Sequence, residues 1–350
     1  ITGTADAPSP VFSENKEDFI IGGTFKQKVD SKFVKDGYTK DETTGEYQAK
    51  EELIVAKIGD KGYVSLNDAI NAASLGAKIT LVKNIIEDVV VPSGKNIEIN
   101  LNNRTITNDS DHTITVELGA SLTITGDGTV DNITHQKAAI YNMGTVTMES
   151  GKLTRSKEAS TSPSNNGGNS YYVVHNNGTF NMNGGTITQN GYYSSLFANK
   201  SENGSNPVFN MTAGTLKQEG FIALKNEETG NVNISGGKVI CSEDQSLQNW
   251  GTATISGGEL TGMVTTFSYT QDNVNYQATT NIEGGTINGD VRSWKYINKD
   301  VHANMAPKIN VTGGTINGSF EAIERGDNGT PVTQVDFAES GITVSGGTFS

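Results

Sequence analysis

The chain has 350 residues, more than one hydrophobic core ordinarily serves, so it is either several domains or one elongated repeat body. Gly 41, Thr 40 and Asn 36 dominate while apolar residues reach only 34%, which excludes a thick globular core and suits many short strands joined by turns. A formal net charge of −13 repels phosphate backbones and anionic bilayers, excluding nucleic acid as a partner, and no stretch approaches the roughly 20 apolar residues needed for membrane insertion.

From the N-terminus, Ile20-Ile-Gly-Gly-Thr-Phe25 closely matches the end of Thr343-Val-Ser-Gly-Gly-Thr-Phe349, with Gly347 following Gly23 by 324 residues. The phase predicts a tandem array. Residues 1–60 are read as the exit coil of a preceding module plus a hairpin-like linker, cut from a longer protein, and residues 61–350 as a repeat domain. The linker carries two hairpin signals, around Thr44-Gly45 and around Gly59-Asp60. Ser65-Leu-Asn-Asp68 is a helix start signal, and Leu66, Ala69, Ile70 and Ala73 form an apolar stripe, predicting a short capping helix over 65–75. Ile79–Val82, Val89–Val91, Ile97–Leu101 and Thr105–Thr107 then read as the first coils.

A strand-turn-strand phrase recurs downstream, as in Val232-Asn-Ile-Ser-Gly-Gly-Lys-Val239 and Ile309-Asn-Val-Thr-Gly-Gly-Thr-Ile316. Its last glycine falls at 128, 151, 185, 214, 237, 258, 285, 314 and 347; the shortest gaps define the unit and the longer ones carry insertions. A unit of about 22 residues without a helix cannot bury its apolar face alone and must stack on its neighbours. Val232 and Ile234, like Ile309 and Val311, point inward, Asn233 and Asn310 point to solvent, and the glycines bend the chain before the next inward pair, such as Thr286-Ile287. Asn142-Met143-Gly144, Asn177-Gly178 and Asn249-Trp250-Gly251 mark corners. Three short strands and three corners per unit predict an all-β fold, a parallel β-helix (solenoid) forming a rod of about 50 Å at about 4.8 Å per coil.

Tyr63–Ala73, Lys78–Val82, Glu87–Asn96 and Ile99–Ile106 resemble the opening of pectin-lyase-like, right-handed parallel β-helix domains of Gram-positive gut-bacterial surface proteins. The resemblance covers 53–350. It implies a right-handed coil and an extracellular, cell-wall-attached location on the bacterial surface, in a superfamily that hosts lyases, hydrolases, adhesins and passive stalks.

A lyase of this type needs acidic residues holding Ca²⁺ and a Lys or Arg as base. Asp109, Asp111, Asp127 and Asp131 are candidate carboxylates and Lys137 the nearest base, but such residues also serve as turn formers at coil corners. Gly126-Asp-Gly-Thr-Val-Asp131 resembles a turn of polygalacturonase-like hydrolases, whose N-T-D, D-D, G-H-G and R-I-K motifs are absent here. His112, His135, His175 and His302 show no ligand spacing, and the single Cys241 excludes an internal disulfide. No cofactor is expected.

Aromatics recur in successive coils, and Tyr172, Tyr193, Trp250, Tyr269, Trp294 and Tyr296 are the candidate binding residues, with Tyr171, Tyr192, Phe197, Phe221 and Phe267 nearby. Such stacked rings commonly fill the interior or a corner. Facing outward, they form a stripe suited to sugar rings or a partner protein. Polar loops at 156–170, 200–206, 271–277 and 298–307 flank them. The expectation is a non-catalytic stalk or adhesin module that contacts host glycan or host protein and neighbouring modules of its own chain. The alternative is a polysaccharide lyase or glycoside hydrolase.

Overall fold

A computed structural model of the chain describes residues 4–5, 16–25, 29–159, 170–189, 191–271, 274–297, 305–326, 333–334 and 339–350. The alternating apolar and polar residues form short strands, and their stacking makes a parallel β-solenoid with three faces. The first face is a 13-stranded sheet, parallel from Ala77–Leu81 through Asn96–Asn100 and on to Ile342–Val344. Register keeps like on like: Ile99, Ile124, Met148, Met182, Met211 and Ile234 form one inward column. The other two faces belong to a 21-stranded sheet. Leu153, Ile187, Leu216 and Val239 line the second face, and Val174, Phe197, Leu224 and Leu247 the third. Burying one such side chain is worth about 1.5–3 kcal/mol, so the few inward residues of one coil cannot offset the entropy of ordering it, and coils persist only as a stack.

Of the predicted inward pair Thr286-Ile287, only Ile287 is buried, because adjacent strand residues face opposite ways. Each Gly-Gly phrase has a divided purpose, seen at Gly236-Gly237. Gly237 takes φ +81°, a left-handed conformation that a side chain disfavours. A Cβ on Gly236 would lie 2.1 Å from the Thr212 carbonyl oxygen, because the coil beneath passes directly under it.

A buried amide ladder marks the corner between the third and first faces. Asn142, Asn176, Asn199, Asn226 and Asn249 are 0% exposed. Each Nδ2 of the first four donates to the next Oδ1, at 2.7, 2.7, 2.8 and 2.8 Å. Asn249 Nδ2 ends the run on Thr279 O and Thr280 Oγ1, both at 2.9 Å. The inward member at the middle corner is therefore Asn176 and not Asn177, whose Oδ1 accepts from the Glu202 N–H at 2.8 Å. Strand alternation decides between two adjacent asparagines that composition cannot separate.

The α-helix, α1 (Leu66–Ala72), begins where expected: Ser65 Oγ accepts from the Asp68 N–H at 3.0 Å, and Leu66, Ala69 and Ile70 are buried. It stops at Ala72, short of the expected 75. Both hairpins form, Tyr38–Lys40 with Glu46–Ala49 and Ala56–Ile58 with Lys61–Tyr63. The second hairpin continues the first face by pairing antiparallel with Ala77–Leu81. Lys35 Nζ meets Asp68 Oδ1 at 2.6 Å, tying the N-terminal segment to α1. One core cluster includes Ile21, Tyr38 and Ile54 and extends to Ile316, while Ile20, Val29, Phe33 and Tyr47 form a small second one.

Candidate functional site

The aromatics divide by face. Phe180, Phe197 and Phe209 lie inside the solenoid with centroids 5.2 and 4.4 Å apart along the run. Tyr38, Tyr47 and Tyr63 are buried in the two cores, whereas Tyr171, Tyr172, Tyr192, Tyr193, Tyr269, Tyr296, Trp250 and Trp294 belong to neither and stand partly exposed, on or beside the third face. They form two groups and not one stripe: one lines a cleft, and the other gathers around Trp250.

The first group lines a cleft of about 680 Å³ that includes Tyr171, Tyr172, Tyr193, Phe221, Lys225 and Gln245. Tyr193 and Phe221 are 44% and 45% exposed. Phe221 has φ +70°, a conformation rare for a bulky residue and one that recurs at functional sites. The next coil locks it there, since the Phe221 carbonyl accepts from the Gln245 N–H and the Cys241 thiol, both at 3.1 Å. Behind the turn, Gln189 Nε2 donates to Gln218 Oε1 at 2.7 Å, and Gln218 Nε2 donates to the Gly220 carbonyl. Lys225 is neutralised by Glu227, 2.8 Å away.

Tyr171 and Tyr172, 4.9 Å apart, rest on a buried polar network. His175, 1% exposed, shares a hydrogen bond with the Tyr171 hydroxyl at 2.9 Å and places Nε2 3.3 Å from Glu202 Oε1. Tyr141 donates to Glu202 Oε2 at 2.5 Å and stacks on His112, centroids 4.6 Å apart. The loop 200–206 thus supplies Glu202, while 160–169, 272–273 and 298–304 of the other insertions lie outside the described residues. Burial pushes His112 down to about 4 and holds His175 below its ordinary value. Burial likewise pushes Tyr171 up to about 12. At neutral pH the imidazoles are uncharged and the phenol protonated, so the network braces the cleft wall. A general acid or base must reach substrate, and His175 does not reach solvent.

No Asp or Glu lines the cleft among the described residues, whereas glycoside hydrolysis uses a pair of carboxyl groups across the bond. Two of the four candidate carboxylates are held by neighbouring residues. Asp131 accepts from the Ser156 N–H at 2.8 Å and from its hydroxyl at 2.5 Å. Asp111 is paired with Lys137 at 2.6 Å, which holds its carboxyl below the usual range. Among the described residues no group of three or more His, Cys, Asp or Glu side chains could hold a metal ion.

The second group packs on itself. Trp250 stacks on Phe267 at 3.9 Å and 12°, Phe267 on Trp294 at 5.1 Å, and Tyr269 and Tyr296 meet Trp250 edge-on at 5.5 and 6.1 Å. Trp250 Nε1 donates to Gln248 at 3.0 Å and Tyr269 to Glu228 at 2.8 Å. Trp250, Tyr269, Trp294 and Tyr296 are all half-buried in this arrangement. Of the six residues singled out in the sequence, Tyr172 and Tyr193 meet in the cleft, and the other four form the second cluster. Phe221, Gln245 and Lys225 were not singled out as binding residues; Phe221 was visible only as one aromatic among many, and its positive φ leaves no sequence signal. Comparison with protein-family models, with curated proteins and with solved structures finds no match to this chain.

Proposed function

We propose that this chain is a non-catalytic glycan-binding module of a bacterial cell-surface protein, its solenoid acting as a stalk and the aromatic cleft as the contact site. The surface location rests on the resemblance of residues 53–350 to pectin-lyase-like domains. In this reading the coil is right-handed, the hand that parallel strand connections overwhelmingly adopt. Helix α1 acts as the N-terminal cap, since its apolar side enters the core beside the first coil. The observation that carries the binding role is the strained, half-exposed Phe221 ring facing the same cleft as Tyr193, Tyr171 and Tyr172. Flat rings suit the apolar faces of sugars, and Gln245 and Gln248 offer neutral donors and acceptors for hydroxyl groups. Lys225, the one lysine lining the cleft among the described residues, is paired with Glu227, so the site favours uncharged sugar residues.

The test is glycan-array binding of the chain and of the double variant Tyr193→Ala/Phe221→Gly. Two lost ring contacts of about 0.5–1.5 kcal/mol each predict binding weaker by about fivefold to 150-fold. Glycine at 221 relieves strain of order 1 kcal/mol, so the variant keeps its unfolding midpoint. Undiminished glycan binding by the folded double variant overturns the assignment.

A further inference from the structure

We infer that the coil Ile342–Phe349 presents a docking surface for residues 29–49 of a second copy of this module, which joins successive modules into one continuous body. This inference is independent of the glycan reading. One phrase occurs twice in the chain under two kinds of cover. Gly22-Gly-Thr-Phe25 is repeated as Gly346-Gly-Thr-Phe349, and the second glycine takes φ +96° in one and +108° in the other. Each receives a preceding strand in the same parallel register: Thr4 and Ala5 face Thr24 and Phe25, as Thr315 and Ile316 face Thr348 and Phe349. The first phrase is therefore built as a coil of the same solenoid type.

The opposite edges differ. Against the first phrase lies Glu46–Ala49, antiparallel, with Thr24 facing Glu46 and Gly23 facing Tyr47. One strand earlier, Ile20 bridges to Val34, and the Lys35 N–H donates to the Ile20 carbonyl at 3.1 Å. The Tyr47 ring meets Phe25 edge-on at 5.8 Å, and Val29, Phe33 and Tyr47 close over Ile20, leaving it 0% exposed. At the second phrase the residues in the places of Ile20 and Phe25 are Val344 and Phe349, which are 42% and 45% exposed. Among the described residues, Ile342–Val344 and Thr348–Phe349 each pair on one side only. A one-sided strand edge with apolar side chains recruits another strand. The segment with matching shape and register is the one that already covers this phrase at its first occurrence. Its far side is fixed to the following solenoid, because Tyr38, Ala49 and Ile54 enter the main core and Lys35 pairs with Asp68. A docked connector therefore transmits a rigid joint and not a flexible hinge.

The test extends the chain by repeating residues 27–60 directly after Ser350, which occupies the place of Lys26. Thr348→Cys is combined with Glu46→Cys in the repeated segment. Facing residues of antiparallel strands have Cα atoms about 4.5–5.5 Å apart, within disulfide range. Cys241 is buried and its thiol is pushed up to about 11, so it does not compete. The expected result is a disulfide within one chain and amide exchange at Ile342–Val344 slowed at least tenfold by the added segment. The inference is overturned if that disulfide fails while Thr24→Cys/Glu46→Cys closes in the unextended chain, or if exchange at Ile342–Val344 is unchanged by the extension.

Discussion

Single residues set the spacing of coils in this protein through backbone contact and buried amides. Asn199 shows the second: it accepts from Asn176 at 2.7 Å and donates to Asn226 at 2.8 Å and to the Pro207 and Asn231 carbonyls at 3.2 Å, with no exposure to water. Asn199→Ala removes the middle of the ladder and strips buried partners of their hydrogen bonds, each such loss costing about 1–3 kcal/mol. Urea denaturation is expected to show destabilisation of about 2–4 kcal/mol, whereas the same substitution at exposed Asn233 stays within about 0.5 kcal/mol. Of the ladder, Asn142 and Asn249 were legible as Asn-x-Gly corners and Asn176 only through its neighbour Asn177, while Asn199 and Asn226 carry no such signal. The chaining of the five was not legible, because a side-chain bond between residues 23 or more apart depends on which coil lies beneath which.

At the scale of elements, the third face joins a braced wall to an open cleft, and the bracing is sensitive to pH. His112 Nδ1 accepts from the Ala138 N–H at 2.8 Å, and its ring faces Tyr141, Tyr171, Lys137 and Asp111. Its folded value of about 4 lies below the ordinary 6.5, so below pH 6.5 the unfolded chain takes up a proton that the folded chain refuses. The stability supplied by the neutral ring is complete above that pH and is lost as pH falls toward 4. Buried His175 contributes in the same direction. Asp111, held below its ordinary 3.8, loses its contribution only at lower pH and leaves this window to the histidines. Urea midpoints are therefore expected to fall between pH 6.5 and 4, and His112→Asn, whose Oδ1 can replace Nδ1 as acceptor for Ala138, is expected to flatten that fall. A midpoint curve identical in the variant contradicts this assignment. The sequence showed four scattered histidines with no ligand spacing. Two of them share a network because Tyr141, in the coil between, is stacked on His112 and edge-on to His175 at 5.1 Å, and Tyr171 also meets both rings.

For the whole molecule, eleven parallel strands on the first face at about 4.8 Å give a stack of about 50 Å, the length expected from counting glycine phrases. Stability in such a stack is a sum of coil and interface contributions, so opening proceeds from the coil with one neighbour. Hydrogen exchange is expected to be slowest at Ile97–Ile99 and Val232–Ile234, which have neighbours on both sides, and fastest among first-face coils at Ile342–Val344. Uniform protection along the face would instead indicate a single cooperative unit.

Short-range periodicity alone determined the strands, the glycine turns, the helix start at Ser65 and the need to stack, because each follows from the alternation of side chains and the conformational freedom of glycine within a few residues. The tertiary structure decided which aromatics stand inside, that the outer ones split into two clusters, and that Phe221 opens into a cleft beside Tyr193. Those outcomes depend on how insertions of unequal length, between glycine phrases 21 to 34 residues apart, bring one coil over the next. That offset comes from loop lengths and contacts between coils, and no local stretch of sequence encodes it.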